Sequence, residues 1–409
     1  MSDFDTLKKK IRSHERDMVE LETLLTSHPA LSPENGGDGE LEKCVALEGW
    51  LKERGFTDLA RYDAPDERVS AKIRPNLIAS LPGKSDARTI WVMAHLDVVP
   101  TGEMSLWHTD PWHVVEKDGK LYGRGVEDNQ QGLVSGVFAA LSCLEEKIVP
   151  EYTVKLLFIA DEECGSRYGI RYLLDSHAEL FRKDDLILIP DGGDSKGETI
   201  EIAEKNILWL KLHTSGKQCH GSRPDEGKNA CLAACDLALR LHDLEHFFGE
   251  KDALFTPDHS TFQPTKREKN VDGVNIIPGD DVFCMDCRIL PRYTLDEVRA
   301  EVKKRVAAVE QQYGVKIEVT ELQAEQSPAT SADAPVVKCL SDAIKEAHGL
   351  TPRIIGVGGG TVGAYLRRRG YDAVVWSTMD ELAHQPNEYC IIENIIKDAE
   401  TLASLFVQK

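Results

Sequence analysis

No stretch of this chain approaches the ~18 consecutive apolar residues that a membrane-spanning helix requires, so none of it is expected to cross a bilayer. The opening residues, MSDFDTLKKKIRSHERDMVELETLL, lack the apolar core of a secretory signal and read instead as one amphipathic helix. A basic excess is also missing. Lysine and arginine number 49 against 69 acids, a formal charge of -20, which excludes nucleic acid or an anionic membrane as the expected partner and suits a surface that gathers cations. Internal repeats and low-complexity tracts are absent. The ten cysteines are scattered rather than grouped, which predicts free thiols in a reducing cytoplasm and no disulfides. The lone C-x-x-C, Cys284 and Cys287, sits in CMDCRIL, which reads as a strand. A zinc knuckle would need a second ligand pair, and a redox motif would open a helix.

What the chain does have is length and pattern. Its 409 residues exceed the usual size of one domain, so two are expected. From about residue 70 to 208, apolar β-branched runs alternate with helical stretches, the mark of a mostly parallel sheet in an α/β domain. The strands are expected at Asn76 to Leu81, Thr89 to Ala94, Tyr152 to Ala160 and Leu186 to Pro190. A helix is expected in NQQGLVSGVFAALSCLEE, where Leu133, Val134, Val137, Phe138 and Leu141 recur at helical spacing. From Leu208 to Glu321 the order changes to strand, helix, strand, strand, helix, strand, a ferredoxin-like α+β unit. The α/β pattern then resumes. The expectation is a discontinuous catalytic domain, 1–207 and 322–409, flanked by helices and carrying an inserted domain at 208–321.

In open parallel sheets ligands bind beyond the carboxyl ends of the strands. His95 and Asp97 follow TIWVMA, Asp128 precedes a helix in GRGVEDNQQG, and Asp161, Glu162 and Glu163 follow KLLFIA. Asp191 follows LILIP, and His384 comes soon after AVVWS. One acid in such a place is ordinarily a helix cap and one histidine a loop residue; five positions filled with ligand types are hard to explain as independent caps. So many carboxylates would repel one another if buried without a counter-ion, and a mixture of imidazole and carboxylate suits zinc, cobalt or manganese better than calcium. There are enough ligands for two ions sharing a carboxylate.

At these residues the chain resembles the clan MH metallopeptidases and deacylases: carboxypeptidase G, aminoacylase, acetylornithine deacetylase, succinyl-diaminopimelate desuccinylase and cytosolic dipeptidases. The likeness spans nearly the whole chain and rests on the ordered set MAHLDVVP, GRGVEDNQQG, ADEECGS, PDGG, HGSRP and HQPNE. It implies two divalent ions, most often zinc, with one held by His95 and Asp191, the other by Glu163 and His384, and Asp128 bridging across a cis bond to Asn129. Glu162 would be general base and acid for a metal-activated water, and Asp97 would orient the His95 imidazole. His220 of HGSRP would add an oxyanion donor, often across a dimer formed by the inserted lid domain. Arg288, Asn275 and the loop Gly358, Gly359, Gly360 and Thr361 would hold the substrate. The implied reaction is hydrolysis of an amide in a dipeptide, small peptide or N-acyl amino acid by a cytoplasmic homodimer; biosynthetic deacylases of the desuccinylase or acetylornithine type share every motif. Many relatives carry an acid soon after the glycine run, where this chain has Val362 and Gly363, so the fine specificity is left open.

Two motifs suggest other chemistry. Gly193 to Gly197 matches G-x-S-x-G, the elbow of a serine hydrolase with Ser195 as nucleophile, yet the chain continues as an extended ETIEIAE where an elbow demands a helix. Gly358 to Gly363 fits the dinucleotide fingerprint, but too little chain follows for a second nucleotide-binding half. A homologue that only binds metal or peptide would have no use for Glu162 beside the ligands.

Overall fold

In the computed structural model, which describes residues 2–408, the apolar runs of the sequence become strands. In chain order these are β1 (Asp58–Arg61), β2 (Leu77–Leu81), β3 (Ser85–His95), β4 (Tyr152–Ile159), β5 (Leu186–Asp194), β6 (Thr199–Glu204), β7 (Asn206–Ser215), β8 (Thr261–Arg267), β9 (Asp280–Ile289), β10 (Lys316–Glu325), β11 (Arg353–Val357) and β12 (Ala373–Thr378). One unit takes the chain up to Ile202, then Thr330–Ile355 and from Thr361 onward; a smaller one takes Ala203–Ala329 and Gly356–Gly360. The limits fall outside 208–321 because β7 starts at Asn206 and β10 runs on to Glu325.

The larger unit is a mixed α/β layer structure. Its eight-stranded sheet has the order β1-β2-β4-β3-β5-β12-β6-β11. The central four strands are parallel, β4 to β3, β3 to β5 and β5 to β12, while β1 and β2 pair antiparallel to their neighbours and β6 antiparallel to β12. Both faces of the centre are covered, which is why these strands read as unbroken apolar runs. Trp91 and Met93 point to the face packed by Ile170, Leu173 and Leu366. Val92, one residue out of step, meets the helix Gln131–Glu146, where a Cβ on Gly136 would lie 3.1 Å from its Cγ1. The N-terminal stretch forms two helices, Asp3–Ser13 and Glu15–Thr26, instead of one. His14 leaves the helical region at the break, and its ring is held between Asp17 (2.7 Å) and Glu145 (3.0 Å).

The smaller unit is a four-stranded antiparallel sheet, β8-β9-β7-β10, the ferredoxin-like order. Alternation builds its core: Phe283, Met285, Cys287 and Ile289 of β9 are buried with Leu208, Leu210 and Leu212 of β7 beneath the helices Ala230–His242 and Leu295–Tyr313. Three-residue spacing on a strand sends Cys284 and Cys287 to opposite faces, so the C-x-x-C cannot close. All ten cysteines are free. Among the described residues no helix is long and apolar enough to cross a membrane.

Candidate active site

Because β3, β4, β5 and β12 are parallel neighbours, their carboxyl ends open on one edge of the larger unit's sheet. His95 closes β3, Glu162 and Glu163 lie in the turn after β4, Asp191 sits in β5, and His384 lies in the loop after β12. Asp128 comes from the turn before the helix Gln131–Glu146, where Asp128 and Asn129 leave helical geometry and the bond between them is cis. Asn129 ties two strand ends together: its Oδ1 accepts from the His95 amide at 3.1 Å and its Nδ2 donates to the Pro190 carbonyl. The helix can start this close because residue 132 is glycine. A Cβ there would lie 2.3 Å from the Pro190 oxygen.

The side chains converge. Asp128 places Oδ1 at 3.0 Å from His95 Nε2 and Oδ2 at 3.2 Å from His384 Nε2, so one carboxylate straddles two imidazoles. His95 Nε2 is also 3.7 Å from Asp191, and His384 Nε2 is 3.1 Å from Glu163. Donor atoms of His95, Glu162 and Asp191 lie within 4.8 Å of one another, as do those of His95, Asp128 and Glu163. Burial raises the carboxyls of Glu162, Glu163 and Asp191 above their usual range. Burial pushes Asp128 the same way, but its bonds to His384 and His95 override that and hold it low. Hydrogen bonds to Asp128 and Glu163 raise His384 to about 10, and the carboxylates around His95 raise it despite its burial.

Such a cluster needs positive charge, and the cationic groups in direct contact with it among the described residues are the imidazoles of His95 and His384. Divalent cations fit. The donors are nitrogen and carboxylate oxygen, two ligand triplets share His95, and Glu163 keeps one buried oxygen with no hydrogen-bond partner. The Asp97 carboxylate accepts from the amides of Glu162 (3.0 Å) and Glu163 (3.1 Å) and lies 3.6 Å from His95 Nδ1. The hydrogen bond of His95 Nδ1 falls to the main-chain carbonyl of Asp97, at 2.9 Å. The resemblance gives this carboxylate to the His95 imidazole; here it also takes the two amides of the turn bearing Glu162 and Glu163.

The remaining residues named from the sequence fall into pairs. On the smaller unit His220 and Asn275 adjoin, Nε2 to Nδ2 at 3.5 Å, while His220 Nδ1 contacts Ser222. Arg288 binds Asp286 through Nε (2.7 Å) and Nη2 (3.2 Å), and its Nη1 donates to the Gly358 carbonyl at 2.9 Å. Three of its five N–H donors are thus spent, which leaves two for a ligand. Gly359 and Gly360 continue that segment, and Thr361 begins the return to the larger unit. Ser195 lies between the strands β5 and β6, not before a helix, so no elbow exists.

Several site-building residues had no role assigned from the sequence. Buried Glu388 and Glu127 hold the loops of Asp128 and His384, and Arg124 meets Glu388 at 2.6 Å. Glu388 stood inside the HQPNE motif; Glu127 carried no signal beyond its place beside Asp128. Fully buried Arg74 pairs with Glu40 and lies 3.4 Å from Asp161, beneath the turn of Glu162.

A family model described as Peptidase family M20/M25/M40 matches residues 91–408. An uncharacterized metallohydrolase of Methanocaldococcus jannaschii is 40% identical over 399 residues, covering 94% of this chain and 97% of that protein. A succinyl-diaminopimelate desuccinylase of Paracoccus denitrificans is 26% identical over 380 residues, covering 91% and 93%. Among solved structures, the aminopeptidase PepT of Bacillus cereus superposes with a TM-score of 0.78 at 20% identity, covering 96% of this chain and 98% of its own, a likeness of fold. With a match over most of its length and a site of histidines and acids at the strand ends, this chain belongs to the peptidase family M20/M25/M40, whose members are metallohydrolases of the peptidase and deacylase kind.

Proposed function

We propose that the protein is a two-metal hydrolase that cleaves the amide bond of a dipeptide, small peptide or N-acyl amino acid. The observation that carries this reading is the Asp128 carboxylate, which presents one oxygen to His95 and the other to His384. His95 and Asp191 would hold one ion and Glu163 and His384 the other, with Asp128 between them. When bound, the ions supply Lewis-acid chemistry: they lower the pKa of a water and polarise the scissile carbonyl. Glu162 takes a proton from the attacking water on its carboxylate and returns it to the leaving amine. Asp97 keeps Glu162 in place by holding its amide. His220 would donate to the oxyanion, and the two N–H groups left on Arg288 would take a substrate carboxylate, with Asn275 and the segment Gly358 to Thr361 beside it.

Zinc is the proposed native metal, with cobalt or manganese as working substitutes, and the proposed setting is a cytoplasmic homodimer. The relative named as a desuccinylase makes a biosynthetic deacylase the second reading. The test is a screen of dipeptides, N-acetylornithine and N-succinyl-diaminopimelate with added metal. Chelation should abolish turnover, and zinc, cobalt or manganese should restore it. Glu162→Gln should lose about 10²–10⁴-fold in kcat while keeping its metal. Activity that ignores chelation, or survives that substitution, refutes the reading.

A further inference from the structure

Two buried carboxylates outside the ligand set link the chain segments that carry Asp128 and His384. Glu388, four residues after His384, is fully buried. Its Oε1 accepts from the amides of Glu127 (3.0 Å) and Asp128 (3.1 Å), and its Oε2 from the Gly125 amide (3.1 Å) and from Arg124. Glu127 reaches the other way. Its Oε1 accepts from the Asp380 amide at 2.7 Å and its Oε2 from the amide of Leu382, two residues before His384. Each loop thus lends a carboxylate to the other's backbone. A carboxylate is acceptor-only, so all its lone pairs can face amides; a glutamine in its place would turn an NH₂ toward one of those donors.

The two imidazoles are anchored unequally. His95 ends a strand, its side chain is 2% exposed and its amide is tied to Asn129. His384 lies in an irregular loop with a positive φ of 66°, and its side chain is 57% exposed. The segment around it takes further left-handed positions at Glu381 and Asn387. Such a loop holds its shape only if its amides are tied down, and Glu127 ties two of them.

We infer that Glu127 and Glu388 are positioning residues, a reciprocal clasp that fixes the Asp128-to-His384 spacing, and that Glu127, which ties the His384 loop, sets the affinity for the ion at Glu163 and His384 with little effect on the ion at His95 and Asp191. This inference rests on the two-ion reading above. The probe is cobalt(II) alone, titrated into the metal-free full-length protein by calorimetry and visible absorption. Wild type should bind two ions in separable steps. Glu127→Gln should weaken one step by 10–100-fold, the loss usual when a ligand's supporting partner is removed, and leave the other within threefold. His384→Ala should identify the affected step by removing it. Glu127→Asp keeps the charge and shortens the reach; it should show the same selective loss and serves if the glutamine variant does not fold, as judged by circular dichroism. Two unchanged steps, or two steps weakened alike in a folded variant, overturn the clasp. Wild-type protein that binds fewer than two ions overturns the two-ion reading itself.

Discussion

Replacing Asp97 by asparagine tests whether its carboxylate serves the turn or the imidazole. The carboxylate gives one oxygen to the Glu162 amide and the other to the Glu163 amide, both about 3 Å away in a buried setting. Asparagine keeps the shape and one acceptor but points an NH₂ at the second amide, leaving a buried N–H unpaired. That costs about 1–3 kcal/mol. A 10–100-fold loss of metal affinity or turnover corresponds to about 1.4–2.8 kcal/mol, so the two scales agree. The His95 ring keeps its 2.9 Å bond to the Asp97 main-chain carbonyl in either case. The loss should therefore fall on what the turn carries, with kcat falling through Glu162 and metal weakening at Glu163. Asp97→Ala, which removes both acceptors, should be worse. Urea unfolding, cobalt titration and kcat against KM measure the three effects. An Asp97→Asn protein that unfolds, binds cobalt and turns over like wild type would refute the reasoning. A loss confined to the His95 ion would return the carboxylate to the imidazole.

Arg74→Met should destabilise the protein by about 3–5 kcal/mol in denaturant unfolding, because Glu40 and Asp161 would remain buried without their cation, while Asp66 keeps Arg68; a loss below about 1 kcal/mol would contradict this. Asp398, fully buried, accepts from Ser377 Oγ at 2.7 Å and from the Thr378 amide, and burial pushes its carboxyl up to about 6. The folded state then binds the proton more tightly than the unfolded one, so this group's contribution is greatest below pH ~4 and is lost as pH rises through 6. Relative to Asp398→Asn, wild type should lose about 2.4 kcal/mol between pH 4 and 7, and parallel unfolding curves across that range would falsify the assignment. Sedimentation should give twice the chain mass, and a monomer would remove the proposed homodimer.

The strand ends were legible because a strand buried on both faces is written as an unbroken apolar run, and the first polar residue after it marks the sheet's edge. TIWVMA followed by His95, and LILIP followed by Asp191, follow that rule. The ferredoxin-like order was legible for a related reason: the alternation of β9 survives in its burial. What the sequence hid depends on chain separation and on main-chain atoms. Glu127 and Leu382 meet across 255 positions, and nothing local in either marks the other. The Asp97 carboxylate also takes the amides of Glu162 and Glu163, and main-chain amides have no letter in the sequence, so the resemblance named only its other neighbour, His95. The break at His14 escaped because the apolar periodicity on either side continues through it; the departure is fixed by contacts to Asp17 and to distant Glu145.

The place of β12 has a consequence for synthesis. β5 and β6 are consecutive in the chain, but β12 lies between them, with Ser377 opposite Gly193 and Val375 opposite Glu201. Until Thr378 has left the ribosome, both flanking strands show unpaired edges, a hazard for association with other chains. The strands of the smaller unit are complete in sequence by Glu325, so translation finishes them first while the larger sheet waits with a slot open at its middle. His384 emerges six residues after the strand that fills that slot, so a chain terminated before Ala373 lacks both the closing strand and the imidazole proposed to hold the second ion.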